Sequence, residues 1–373
     1  MIWRSYFSTQ ILFGNYALRD NCPAFSGLGK RALIVVGQGG SARRTGALDD
    51  LSRVLKELAI TAQIFDQVEA NPTIATVRQG AAVAKNFKAD FIVGIGGGSP
   101  LDAAKAIAVL AVNEISDTQL LDLQFGEVLP VVAIPTTAGT GSEVTPYSIL
   151  TFPALQTKKS IPSPKIIPRL AVLDPRYMND LPWRITADTA VDAYSHALES
   201  FLAVKANPLS ELHAREALQI LGSELRKLAE NREIDLNQRE ALLYGSLLAG
   251  LAISSTGTSI PHAMGYPFTY FKDVPHGRAN GMIMPAYMDF NLRKSNHPKI
   301  TDALIISGFK STAHFKDLMV TLCGNPPALT SVEQAQFITQ TMQAKNLVNN
   351  IVTPDREDLE QILTHTLNQE VLE

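Results

Sequence analysis

An acid and an imidazole stand four residues apart in the stretch DAYSHALESF, which puts Asp192 and His196 on adjacent turns of one helix face. Val191, Ala193, Leu198 and Phe201 make most of the surrounding helix apolar. Such a pair can be an ordinary hydrogen bond or polar decoration near a helix start, or it can bind a metal ion. Two further histidines keep similar company: His262 in SIPHAMGYPF and His276 in VPHGRANGMIMP, each flanked by Pro, Gly and apolar residues. One carboxylate oxygen with three imidazole nitrogens suits a borderline divalent ion such as Fe²⁺ or Zn²⁺, and suits Mg²⁺ or Ca²⁺ poorly. The remaining histidines, His213, His297, His314 and His365, lie in charged or amphipathic patterns and read as structural.

A second kind of chemistry is written in three Gly-rich turns. Gly96, Gly97, Gly98 and Ser99 end a β-branched run and open a helical pattern, where backbone N–H groups and the positive end of a helix dipole favour a phosphate. The spacing is not G-x-G-x-x-G, because Leu101 stands where the third glycine would fall. The next turn, PTTAGTGSE, carries hydroxyls at Thr136, Thr137, Thr140 and Ser142 that can donate to phosphate, ribose or amide groups. The earliest, VVGQGGSARRTG, contains Gly37, Gly39, Gly40 and Ser41 but has no acid before Asp49, and it carries Arg43 and Arg44. A carboxylate there would bind an adenosine 2′-hydroxyl and repel a 2′-phosphate, so its absence beside two guanidiniums favours NADP(H) over NAD(H).

These turns need strands to hold them. RALIVVG (31–37), AQIFDQV (62–68), DFIVGIGGGS (90–99) and LPVVAIPTTAGTGSEV (129–144) are separated by helical patterns, which implies an α/β domain on a mostly parallel sheet with right-handed crossovers. After RLAVLDP (169–175) helical periodicity takes over, at 186–203, 209–230, 236–254 and 277–292 and in shorter pieces beyond. The expectation is a dinucleotide-binding α/β domain over 1–178 and an all-helical metal-binding domain over 179–373. A chain of 373 residues is long enough for both.

Composition narrows the partners. The formal net charge is −3 and the Lys and Arg residues are scattered, so no basic footprint for nucleic acid or anionic lipid is visible. The most apolar stretch, ALLYGSLLAGLAISSTG, is shorter than the roughly 20 apolar residues of a membrane span. Two cysteines in unrelated contexts, with no secretory signal at the start, fit a reducing cytoplasm. The partner expected is a small molecule. The alternating apolar pattern of MIWRSYFSTQILF could pair across a two-fold if the chain forms a homo-oligomer.

Taken in order, FGNYAL, ANPT, GGGSPLDAAKA, IPTTAGTGSEVT, AVLDP, DAYSHALESF, HAMGYP and PHGRANGMIMP resemble the iron-dependent, group III alcohol dehydrogenases over nearly the whole chain. The resemblance implies a homo-oligomer whose chain has an N-terminal dinucleotide-binding domain, a helical C-terminal domain and a metal in the cleft between them. It implies Asp192, His196, His262 and His276 as ligands, the pyrophosphate on Gly97, Gly98 and Ser99 with Asp102 nearby, and Thr136, Thr137 and Thr140 further along the cofactor. It makes Asn71 a ribose-side residue and Lys158 a cofactor-contacting lysine, although Lys159 is adjacent.

Two positions depart from that family's commoner pattern. Gly37 stands where an aspartate is frequent, and Tyr266 stands where many relatives carry a histidine proposed to relay the substrate proton. A phenol titrates near 10, so Tyr266 is either a weak relay or a packing residue. The activity implied is NAD(P)-linked interconversion of primary alcohols or diols and aldehydes, with the metal polarising the substrate oxygen. A glycerol-dehydrogenase-like or dehydroquinate-synthase-like relative, and a metal-dependent hydrolase without dinucleotide, are the alternatives.

Overall fold

A computed structural model describes Trp3 and residues 5–368 of the chain. It divides into two compact units: Phe7–Leu181 with Asp235–Leu243, and Pro182–Ile234 with the chain from Tyr244. Among the described residues no single helix is long and apolar enough to cross a membrane. Of the N-terminal stretch expected to pair across a two-fold, Met1, Ile2 and Arg4 lie outside the described residues.

The strands of the first unit are β1 (Gln10–Phe13), β2 (Arg31–Gly37), β3 (Thr61–Val68), β4 (Phe91–Gly96), β5 (Val131–Pro135), β6 (Tyr147–Phe152), β7 (Thr157–Pro162) and β8 (Leu170–Leu173). Six of them form one sheet in the order β1-β8-β5-β4-β2-β3, and every pairing in it is parallel. Helices α1 (Ala17–Asp20), α2 (Ser41–Arg44), α3 (Ala47–Glu57), α4 (Ile74–Phe87), α5 (Gly98–Leu110) and α6 (Asp117–Leu121) belong to its connections. Because side chains alternate along a strand, β2 sends Leu33 and Val35 to one face, against α4 and α5, and Ala32, Ile34 and Val36 to the other, against α3. Both faces are therefore covered, which is why these strands read as unbroken apolar runs.

The chain steps outward from β2 to β3, then crosses back to β4 on the other side of β2. Val36 is level with Ile95, and Gly96 with Pro135, so the carboxyl ends of β2, β4 and β5, each followed by a Gly-rich turn, lie side by side. That reversal point is where open parallel sheets hold ligands. An antiparallel hairpin of β6 and β7, absent from the sequence reading, stands apart from the main sheet.

The second unit is helical: α7 (Trp183–Phe201), α8 (Pro208–Glu230), most of α9 (Leu236–Thr256), α10 (Ile260–Lys272), α11 (His276–Lys294), α12 (Pro298–Ile306), α13 (Thr312–Cys323), α14 (Ser331–Met342) and α15 (Arg356–Leu367). Helix α7 packs against α8, α10, α11, α12 and α13, and its residues from Ala190 to Phe201 are all buried. It is thus a central helix, with Asp192, Ser195, His196 and Glu199 taken into the interior. Helix α10 also departs from expectation, since Pro267 lies inside it. Pro261 occupies the first turn, where its missing N–H costs nothing, and Pro267 is buried within the packed helix.

One buried polar cluster braces the first unit. Lys105 Nζ, on α5, donates to Ser142 Oγ at 2.8 Å, to the Thr145 carbonyl at 3.0 Å and to the Tyr147 carbonyl at 2.7 Å. Asp102 accepts from Ser142 Oγ at 2.6 Å and from the Ile149 amide at 3.0 Å. Together these bonds tie α5 to the turn after β5 and to β6. Burial pushes the Lys105 ammonium down to about 8 and the Glu143 carboxyl up to about 7. Between its ordinary value of 4.5 and about 7, folded Glu143 keeps a proton that the unfolded chain has released, so its contribution to stability is lost as pH rises through that window. The difference in Tm between Glu143→Gln and the wild type should therefore move in the variant's favour by a few degrees from pH 5 to pH 7.5. Thermal melts across that range check it, and a pH-independent difference rejects it.

Candidate metal centre

Four side chains from three helices meet inside the second unit. Asp192 and His196 come from the middle of α7, His262 from the first turn of α10 and His276 from the first residue of α11. One ligand atom from each of Asp192, His196 and His262 can be chosen so that all lie within 4.8 Å of one another. Nε2 of His262 is 2.9 Å from Nε2 of His196 and 3.6 Å from Oδ1 of Asp192. Nε2 of His196 and of His276 lie 4.0 and 3.8 Å from the same oxygen. A tetrahedral ion with bonds of roughly 2.1 Å has ligand edges of about 3.4 Å, so these separations fit a common cation. Two imidazole nitrogens at 2.9 Å cannot both present lone pairs unless a positive charge lies between them.

Packing holds this convergence in place. Gly277 follows His276, and a Cβ there would lie 1.9 Å from the Asp188 carbonyl oxygen and 2.8 Å from Cβ of Asp192. Only a glycine lets the start of α11 press on α7 at this depth. Arg278 then clamps the junction, its Nε and Nη2 donating to the two Asp188 oxygens at 3.0 and 2.8 Å, one turn before Asp192. Asn280 Nδ2 donates to Asp192 Oδ1 at 3.0 Å and lies 3.2 and 3.4 Å from Nε2 of His262 and His276. Tyr266 stacks on His276, with ring centroids 5.3 Å apart and planes 9° from parallel.

The carboxylate of Glu199 closes the far side of His262. Its Oε1 is 2.5 Å from His262 Nδ1. Burial works against its charge, but the His262 imidazole, the Ser259 amide and the Ser195 hydroxyl outweigh burial and hold Glu199 below the usual carboxylate range. Burial also disfavours a charged His262, and here the nearby Glu199 and Asp192 win and move the imidazole upward.

In the first unit, α5 starts at Gly98 with Gly97 as its N-cap, and no side chain caps that end. A Cβ on Gly98 would come within 2.7 Å of Thr140 Cγ2, and one on Gly97 within 3.3 Å of Thr137 Oγ1, so the turns after β4 and β5 close directly on each other. Thr136 is buried at the base, its amide bonded to the Gly96 carbonyl at 2.9 Å. Ser99 Oγ accepts from the Asn71 amide at 3.1 Å, and Lys158 Nζ donates to Asn71 Oδ1 at 2.7 Å, so the β6–β7 hairpin brings Lys158 to Asn71. Asp102 and Ser142 lie beneath, with their polar atoms engaged in the Lys105 cluster. After β2, Gly40 has φ 69° and caps the short helix Ser41–Arg44, and Arg44 folds back to donate to the Gly39 carbonyl at 2.7 Å.

Sequence reasoning passed over Lys105, Glu143, Glu199 and Asn280. The helical spacing of Asp192, His196 and Glu199 was a usable signal for one of them. Nothing local marks the others, whose partners are distant in the chain.

Gly-rich turns at the carboxyl ends of a parallel sheet and a buried cluster of Asp192, His196 and His262 are features that a metal-dependent dehydrogenase requires. The chain belongs to the iron-containing alcohol dehydrogenase family: that family's model matches residues 8–175, and the model of its C-terminal domain matches residues 186–370. It is 33% identical over 289 residues to the NADPH-dependent butanol dehydrogenase of Clostridium saccharobutylicum, covering 75% of this chain and 73% of that one. It is 35% identical over 265 residues to the NAD-dependent methanol dehydrogenase of Bacillus methanolicus, covering 70% and 69%. The crystal structure of an iron-containing alcohol dehydrogenase from Thermotoga maritima superposes with a TM-score of 0.91 at 38% identity, over 98% of this chain and 99% of that one.

The contact at Gly277 has a direct consequence. Gly277→Val must push α11 away from α7, at a cost of about 1–3 kcal/mol for overpacking, and carry His276 with it. Elemental analysis of the purified variant should show metal content reduced by more than half, while nicotinamide-cofactor binding, measured by fluorescence, stays as in the wild type.

Proposed function

We propose that this protein is an NADP(H)-preferring alcohol dehydrogenase that interconverts short primary alcohols or diols and their aldehydes, with Asp192, His196, His262 and His276 holding Fe²⁺, or Zn²⁺ in its place. The observation that carries the reading is the convergence of a carboxylate oxygen of Asp192 with imidazole nitrogens of His196 and His262, all within 4.8 Å of one another, beside His276, whose Nε2 lies 3.8 Å from Asp192 Oδ1. When bound, the ion supplies Lewis-acid polarisation of the substrate oxygen, and the nicotinamide cofactor accepts or delivers the hydride.

The chain's own residues do the rest. Three neutral imidazoles and one carboxylate leave a divalent ion with a net charge of about +1, enough to favour negative charge on an oxygen beside it. Gly97, Gly98 and Ser99 offer backbone N–H groups and a hydroxyl to the pyrophosphate, and Asn71, oriented by Lys158, serves the ribose side. Thr137 and Thr140 line the adjoining turn. Tyr266 acts as a wall that keeps the His276 ring in orientation, since its stacked phenol is a poor base at neutral pH. A cytoplasmic homo-oligomer is the setting proposed, with the edge strand β1 and the exposed Trp3, Tyr6 and Phe7 near the pairing surface.

His262→Ala and His276→Ala should each lose the metal and at least a thousandfold in aldehyde reduction while still binding NADPH. Butyraldehyde reduction followed by NADPH absorbance, beside metal analysis, tests this, and an active metal-free His276→Ala enzyme overturns it. Cofactor choice has its own test. Relatives include both NADPH- and NAD-dependent enzymes, so preference rests on this chain's Gly37, Ser41, Arg43 and Arg44. A Cβ on Gly37 would meet its nearest neighbour, Pro100 Cγ, at 3.4 Å, so an aspartate fits there. Gly37→Asp should move the ratio of kcat/KM for NADPH over NADH at least tenfold toward NADH, and an unchanged ratio rejects the reading.

A further inference from the structure

We propose that Glu199 is a positioning residue for the metal centre, holding His262 in the tautomer whose Nε2 presents a lone pair to the ion. The inference rests on the ligand role proposed above for His262.

Glu199 stands three residues beyond His196 and seven beyond Asp192, so a single face of α7 carries two ligands and this second carboxylate. It is completely buried. Its two oxygens do different work. Oε2 accepts from the Ser259 amide at 2.6 Å and the Ser259 hydroxyl at 3.3 Å, which caps the start of α10 and accounts for that oxygen structurally. Oε1 takes the Ser195 hydroxyl at 2.9 Å and points at His262 Nδ1 at 2.5 Å, a contact that capping does not require.

A carboxylate only accepts, so this short contact places the proton on Nδ1. The neutral ring then has its lone pair on Nε2, the atom that faces His196 Nε2 and Asp192 Oδ1. The anion behind the ring also makes Nε2 a more basic donor, as carboxylate–histidine–metal arrangements do. Glu199 touches neither substrate nor cofactor; its effect passes through His262.

Zinc affinity of the metal-stripped full-length protein, measured by competition with a chromophoric chelator at fixed pH, reads this role directly. Glu199→Gln, nearly isosteric, should weaken zinc binding 10- to 100-fold, and Glu199→Asp, which keeps the charge but retracts it by one methylene, should weaken it at least fivefold. The visible bands of the Co²⁺-substituted protein should shift in both, while NADPH affinity, the check on folding, stays within twofold. A zinc affinity within twofold of the wild type in whichever of the two variants folds overturns the proposal. His262→Ala in the same titration separates the two failures. If it binds zinc as tightly as the wild type, the ligand assignment itself falls; if it loses zinc while both Glu199 variants keep theirs, only the role of Glu199 falls.

Discussion

Everything in the helical unit answers to one electrostatic constraint: a carboxylate oxygen and imidazole nitrogens, all aimed inward, must be held within about 4 Å of each other in a place shielded from water. In a medium of low dielectric such groups repel or demand a cation, and they stay together only if the surrounding helices leave them no alternative. Close packing provides that. Gly277 lets α11 sink against α7, the Arg278–Asp188 fork locks the junction, and the stack of Tyr266 on His276 fixes the most exposed ring.

The same constraint explains why α7 is polar where it should be most apolar. Asp192, Ser195, His196, Glu199 and Ser200 are buried in a helix otherwise rich in alanine, and Asp192, Ser195 and Glu199 each hydrogen-bond another member of the site. Small residues at 187, 190, 193 and 197 bring the neighbouring helices close enough to supply those partners. Stability and chemistry are thus written into the same turns of one helix.

The sheet unit solves a different problem, placing backbone amides where an anion can meet them. Three parallel strands in register bring three Gly-rich turns level, and the turns of β4 and β5 interlock through Thr137 and Thr140. The buried Lys105–Ser142–Asp102 cluster beneath them ties α5 to the following turn, so the N-terminus of that helix is fixed from below while its own N–H groups remain uncapped by any side chain.

Local pattern was enough to read the parallel strands, the Gly-rich turns and the long helices, and to single out Asp192, His196 and His262, which the fold brings together, because hydrophobic period and residue type act over a few neighbours. It left α10 unassigned across Pro267 and gave no sign that α7 is enclosed on all sides, because how many neighbours surround a helix is a long-range fact. The hairpin that carries Lys158 to Asn71, 87 residues away, was invisible for the same reason. Residue types and their spacing determined which polar atoms this protein has in its helical cluster and in its Gly-rich turns. Tertiary packing alone decided which of them meet, and that Glu199, Asn280 and Lys105 stand behind them, since a buried polar group is identified by its partners and those partners come from distant parts of the chain.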